Sequence, residues 1–236
     1  MKKLTILIPA YNEENGIKNV LRQVQEVCGK DDEIIVVDDG SKDNTATVVR
    51  SVPGVRLISH RRNYGYGAAI KTGAVEATGD WICFFDADGQ HRNSDIHRLM
   101  DAARQSDVPM VVGSRGKKGF LYLQRAPGKM LLHAFAILLT QRFIPDLNSG
   151  LRIIHRETLL CYLHLLPDGF SASTTMTMIM LCQNYGIRYI DIETAPRVGK
   201  SHVRQMRDGL RTIITILRMI MMFNPLSFFL PISVFL

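Results

Sequence analysis

Residues 81–91 read WICFFDADGQH. Five apolar residues in a row, Trp81 to Phe85, fit a strand buried on both faces, because a half-exposed strand alternates apolar with polar. The chain leaves that strand on Asp86-Ala87-Asp88. Carboxylates spaced i, i+2 just past a strand can share one hard divalent cation, Mg2+ or Mn2+, whose shell is completed by substrate phosphates. Gln90 follows and can add an amide oxygen. The same residues also fit a polar turn, so the surrounding sequence has to decide.

Outward from this stretch, the runs at 4–8 (LTILI), 33–38 (EIIVVD), 55–58 (VRLI) and 109–113 (PMVVG) have the same apolar character. Between them lie segments with helical signals. In 15–28, Ile17, Val20, Leu21, Val24 and Val27 recur at helical spacing; Asp43-Asn44-Thr45 opens a helix through Val49; 66–77 begins in glycines; 94–105 has Ser94 as its N-cap. Strands alternating with helices predict an α/β fold of β-α-β units with a mainly parallel sheet. In such sheets ligands sit beyond the carboxyl ends of the strands.

Each polar cluster lies at such an end. PAYNEE (9–14) follows the first strand, with a ring able to stack on a base and carboxylates able to take ribose or base donors. Asp38-Asp39-Gly40-Ser41 follows the second, and Asp39 can accept an N–H from uracil or guanine. Arg61-Arg62-Asn63-Tyr64-Gly65-Tyr66-Gly67 follows the third and resembles a phosphate cradle. There is no Gly-x-x-x-x-Gly-Lys-Ser/Thr and no complete Gly-x-Gly-x-x-Gly after the first strand, so P-loop and dinucleotide-oxidoreductase readings fall away.

With 236 residues, 46% of them hydrophobic and 22% charged, the chain is neither disordered nor fibrous. Its four cysteines (28, 83, 161 and 182) form no Cys-x-x-Cys pair, which excludes a zinc ribbon and a disulfide scaffold. Charge is uneven: residues 1–110 carry a net −2 and residues 111–236 a net +9. Lys2-Lys3 and the apolar run behind them end at Pro9, too early for a signal peptide.

Taken in order, PAYNEE (9–14), VDDGSKDNT (37–45), RNYGYGAAIKTG (62–73), DADGQH (86–91), Ser114-Arg115 and DLNSGLR (146–152) resemble the family 2 inverting glycosyltransferases of the GT-A fold. The branch most similar is the polyprenyl-phosphate sugar transferases, of which dolichyl-phosphate mannose synthase is typical. The resemblance runs from residue 4 to about 200 and implies a GT-A catalytic domain over 1–202. It implies that Pro9, Tyr11, Glu13, Asp39 and Ala87 hold the nucleotide of a UDP- or GDP-sugar. Asp86, Asp88 and Gln90 hold Mg2+ or Mn2+, Arg115 and Arg125 grip the acceptor phosphate, and Arg197 and Lys200 face the donor diphosphate.

The basic half fits a lipid-phosphate acceptor. Arginine's planar fork meets phosphate oxygens two at a time. Helical segments are expected at 127–143 and 173–185, a strand at 187–193, and a long helix at 203–223 with Arg204, Arg207, Arg211 and Arg218 along one side. A basic amphipathic helix of that kind lies on an anionic membrane surface. Residues 219–236 hold no charge, and their 18 residues reach about 27 Å at ~1.5 Å each. They read as a membrane anchor or the start of a transmembrane region, with the basic side in the cytoplasm.

A phosphomonoester is already anionic near neutral pH, so the reaction needs no general base; Asp146 is the reserve candidate if one exists. Two rivals are a transferase acting on a saccharide or other alcohol, and a non-catalytic membrane module. Nucleic acid is not expected as a partner, because the positive charge lies by the apolar tail and not beside aromatics on a sheet.

Overall fold

The computed structural model describes residues 3–116, 142–169 and 171–195, with single positions 137, 214, 221 and 225. Among the described residues seven strands form one sheet: β1 (Leu4–Ala10), β2 (Glu33–Asp38), β3 (Val55–Ser59), β4 (Trp81–Phe84), β5 (Met110–Ser114), β6 (Arg152–His155) and β7 (Ile187–Asp191). Their order is β3-β2-β1-β4-β6-β5-β7. All neighbours run parallel except β6, which is antiparallel to both β4 and β5.

The continuous apolar runs are explained by helices on both faces. Successive residues point to opposite sides, so Ile6, Ile8, Val36, Cys83 and Phe85 join one core, and Leu7, Ile35, Val37, Ile82 and Phe84 the other. The first core packs against α1 (Ile17–Val27), α2 (Thr45–Arg50) and α4 (Ser94–Gln105). The second packs against α3 (Tyr66–Glu76), α5 (Arg156–Tyr162) and α6 (Ala172–Cys182).

Four details differ from the sequence expectations. β6 and α5 have no counterpart there. Asn93, not Ser94, sits at the N-cap of α4, its side chain accepting the Ser94 N–H at 2.8 Å. α6 ends at Cys182, three residues early, because Asn184 takes a left-handed φ of 58° and the Tyr185 N–H turns back to the Met180 carbonyl at 2.8 Å. The glycines that open α3 serve chain packing. The Ala68 N–H donates to the Asp168 carbonyl at 3.1 Å, and a Cβ on Gly67 would sit 1.9 Å from the Pro167 carbonyl.

The segments expected as helices at 127–143 and 203–223 and as an anchor at 219–236 lie outside the described residues, apart from those single positions and residues 142–143. Among the described residues no helix is long and apolar enough to cross a membrane.

Gly67→Ala is therefore expected to lower stability by about 1–3 kcal/mol, although alanine is the better helix former. A lower urea midpoint at unchanged m-value is the readout.

Candidate active site

The strand order reverses between β1 and β4, the place where an open α/β sheet forms its ligand crevice. The two strands pair as far as Leu7 and Phe84, and the Phe85 N–H still reaches the Leu7 carbonyl at 3.0 Å. Two residues later β1 carries Pro9, which has no N–H to offer. β1 continues beside β2, with the Asp39 N–H donating to the Ala10 carbonyl at 2.9 Å. The strands thus part at Pro9, and the chain continues as Tyr11 to Glu14 after β1 and as Asp86 to His91 after β4.

On the β2 side two loops are stitched together. The Asn12 N–H donates to the Ser41 hydroxyl and the Lys42 N–H to the Asn12 side-chain oxygen, at 2.9 and 2.8 Å. The Glu13 N–H donates to the Thr45 hydroxyl at 2.8 Å. Glu14 accepts from the Asn44 backbone and side chain. Asp43 accepts the Thr45 N–H at 3.0 Å, an Asx turn at the start of α2. Asp39 is buried at the end of β2. One of its oxygens faces His60 Nδ1 at 2.7 Å and the Tyr64 N–H at 2.9 Å, and the other accepts the Gly65 N–H at 2.7 Å.

On the β4 side, Asp86 accepts from the Tyr66 hydroxyl at 3.1 Å and faces His91 Nε2 at 3.5 Å. Burial pushes its carboxyl up. The hydrogen bond and charge of His91, the Tyr66 hydroxyl and the charge of Arg152 more than offset this and hold it below the ordinary carboxylate range. A Cβ on Gly150 would lie 2.2 Å from the Asp86 carboxylate, so only glycine lets that loop approach. Arg152 is fully buried beneath the site and donates to the carbonyls of Ser149 and Ser173 and the Thr177 hydroxyl. Asp88 accepts the Gln90 N–H at 3.1 Å across a turn made by Gly89 at φ 70°. Ala87 is buried, so what it offers a ligand is backbone.

Two carboxylates and an amide oxygen on one short turn are hard donors that suit Mg2+ or Mn2+. Among the described residues there is no group of three or more His, Cys, Asp or Glu that could cage a metal alone. The Gln90 carbonyl accepts the Ala195 N–H at 2.9 Å, which ties the acidic turn to the segment after β7.

Arg115, at the end of β5, grips Asp146 with Nε at 2.8 Å and Nη2 at 2.9 Å. Burial raises the Asp146 carboxyl, but the Arg115 hydrogen bonds and charge outweigh it and hold the group low. A carboxylate kept ionised in this way is a poor proton acceptor, which weakens the reserve reading of Asp146 as a base. Pro9, Tyr11, Glu13, Asp39, Ala87, Asp86, Asp88, Gln90 and Arg115 are thus brought to one edge of the sheet. Arg125, Arg197 and Lys200 lie outside the described residues. Tyr66, His60, Gly150 and Arg152 are site neighbours that residue type alone does not announce. The one available signal was an arginine inside the apolar run LRII (151–154).

Residues 5–163 match the family described as Glycosyl transferase family 2. The chain belongs to that family. Among curated relatives, it is 36% identical over 181 residues to a UDP-N-acetylglucosamine–dolichyl-phosphate N-acetylglucosaminyltransferase of Methanococcus voltae, covering 67% of this chain and 71% of that one. It is 32% identical to a dolichyl-phosphate beta-glucosyltransferase of Dictyostelium discoideum, covering 66% and 54% of the two chains. An undecaprenyl-phosphate 4-deoxy-4-formamido-L-arabinose transferase of Sodalis glossinidius is 31% identical, covering 69% and 52%. The chain therefore spans about half the length of the latter two.

Among solved structures, glucosyl-3-phosphoglycerate synthase of Mycobacterium tuberculosis superposes with a TM-score of 0.75 at 21% identity, covering 92% of this chain and 80% of that one. The fold is GT-A-like. Other structures of the same synthase hold UDP with Mn2+ or Mg2+.

The low Asp146 carboxyl has a consequence for acid stability in this family 2 domain. A folded value below the unfolded ~3.9 gives stabilisation that is full above that value and is lost as pH falls through the folded one. Asp146→Asn should cost about 1.5–3 kcal/mol at pH 7 and progressively less as pH falls below ~3.9, read from urea unfolding across that range.

Proposed function

We propose that the chain transfers one sugar from a nucleotide-sugar to a polyprenyl phosphate at the cytoplasmic face of a membrane. The observation that carries this reading is the acidic turn Asp86-Ala87-Asp88 at the mouth of the crevice between β1 and β4, with Asp39 at the end of neighbouring β2. The named relatives of the family support the acceptor, since each acts on a dolichyl or undecaprenyl phosphate by its name.

In this reading Pro9, Tyr11, Glu13 and Asp39 hold the nucleotide, with the backbone at Ala87. Asp86, Asp88 and Gln90 hold Mg2+ or Mn2+, which when bound neutralises charge on the leaving diphosphate. Asp86 is already ionised through His91, Tyr66 and Arg152. Arg115 is held in one orientation by Asp146 and grips the acceptor phosphate. Arg125 completes that grip, and Arg197 and Lys200 face the donor diphosphate. The acceptor phosphate attacks as an anion, so no residue removes a proton. The basic segment 203–223 and the apolar segment 219–236 keep the domain beside its lipid.

Steady-state kinetics with short-chain polyprenyl phosphate and the matching polyprenol, each with UDP- and GDP-sugars and Mn2+, test this. Glycosylation of the phosphate and not of the alcohol is expected, and equal use of the free alcohol overturns the base-free site. Asp88→Asn should lower turnover at limiting Mn2+ by about 100-fold or more, because metal charge stabilisation contributes several kcal/mol. Wild-type rates in that variant would remove the metal assignment.

A further inference from the structure

We infer that His60 makes Asp39 a reader of a single N–H and so selects a uracil nucleotide over a guanine nucleotide. This rests on the donor-site reading proposed above. A carboxylate offers about four lone-pair positions, two on each oxygen. Asp39 Oδ1 meets two donors, His60 Nδ1 at 2.7 Å and the Tyr64 N–H at 2.9 Å. Oδ2 meets one, the Gly65 N–H at 2.7 Å. Nδ1 is the protonated nitrogen of His60, because an ionised carboxylate can only accept. The far nitrogen, Nε2, lies 2.9 Å from the Thr72 hydroxyl, and the Tyr64 ring stands edge-on to the imidazole at 5.3 Å. The imidazole is therefore fixed from both ends.

One lone pair remains, on Oδ2. The Asp39 side chain is only 4% exposed. Uracil presents a single ring N–H between two carbonyls and matches one acceptor. Guanine presents a ring N–H beside an amino group, two donors side by side that ask for one lone pair on each oxygen. Binding guanine leaves one of its donors without a partner or displaces His60. Cytosine and adenine put a bare ring nitrogen next to their amino group, which faces the carboxylate lone pair to lone pair. Among these bases the geometry favours uracil, and the residue that closes the second position is His60, which lies at the end of β3.

The experiment is titration calorimetry of the full chain with UDP and with GDP at saturating Mn2+, on wild type, His60→Phe and His60→Asn. UDP should bind wild type at least about tenfold more tightly than GDP, the effect of one unmet donor. His60→Phe frees the second lone pair and should shrink the ratio several-fold. His60→Asn keeps an N–H near the Nδ1 position and should restore it. Comparable binding of the two nucleotides, or tighter GDP, by the wild type overturns the inference and leaves the donor site intact. A folded His60→Phe with an undiminished ratio removes His60 from the selection. Binding of neither nucleotide overturns the donor-site reading itself. Thermal melting of each variant identifies one that fails to fold, and the wild-type ratio then decides alone.

Discussion

The parting of β1 and β4 after Leu7 and Phe84 is the constraint on which the rest of the site depends. A parallel sheet buried on both faces has no room for a ligand while its strands stay paired. Opening it inside the sheet leaves backbone donors and acceptors without partners, which is costly when they are buried. Pro9 removes one such donor at the point where β4 leaves. The Phe85 N–H takes the Leu7 carbonyl, and Ala10 turns its own toward Asp39.

The second requirement follows from what fills that opening. Asp38, Asp39, Asp86, Asp88 and Asp146 are all at the carboxyl edge, and four of them are buried with Asp86 partly so. Buried carboxylates are tolerated when donors surround them. Most of the donors come from segments far along the chain: the 60–65 loop for Asp39, Tyr66 for Asp86, with His91 from the same turn, and Arg115 for Asp146. Arg152 has no carboxylate at ion-pair distance among the described residues, yet its charge acts on Asp86 and Asp146 from below. Asp86 and Asp146 are therefore held ionised before any ligand arrives, and little reorganisation is left for the reaction.

Strands β1 to β5 were legible because burial on both faces writes them as unbroken apolar runs, and helices α1 to α4 because their caps and spacing are local. Asp86, Asp88 and Asp39 were legible for a related reason: a carboxylate at the end of such a run stands out. β6 escaped notice because it is four residues long, begins on a buried arginine and follows the polar stretch DLNSG (146–150). His60, Tyr66 and Gly150 were illegible because their roles arise from close approach between segments 20 to 64 residues apart. The Asp146–Arg115 pair is illegible because nothing in the neighbourhood of Asp146 names Arg115, 31 residues earlier, as its partner.

β6 also decides whether the first half of the chain can exist by itself. β4 lies between β1 and β6, and its residues Trp81 to Phe84 are all buried. Without residues 152–155, β4 would become the rim of the sheet, showing an apolar strand with a free row of backbone donors and acceptors. Such a rim invites pairing with another chain. The first 110 residues contain Pro9 to Glu14, Asp39 and the acidic turn Asp86 to Gln90 but cannot protect this rim. During synthesis the growing polypeptide carries that hazard until β6 emerges, more than 60 residues after β4, so a chaperone holding the nascent chain over this interval would suppress aggregation.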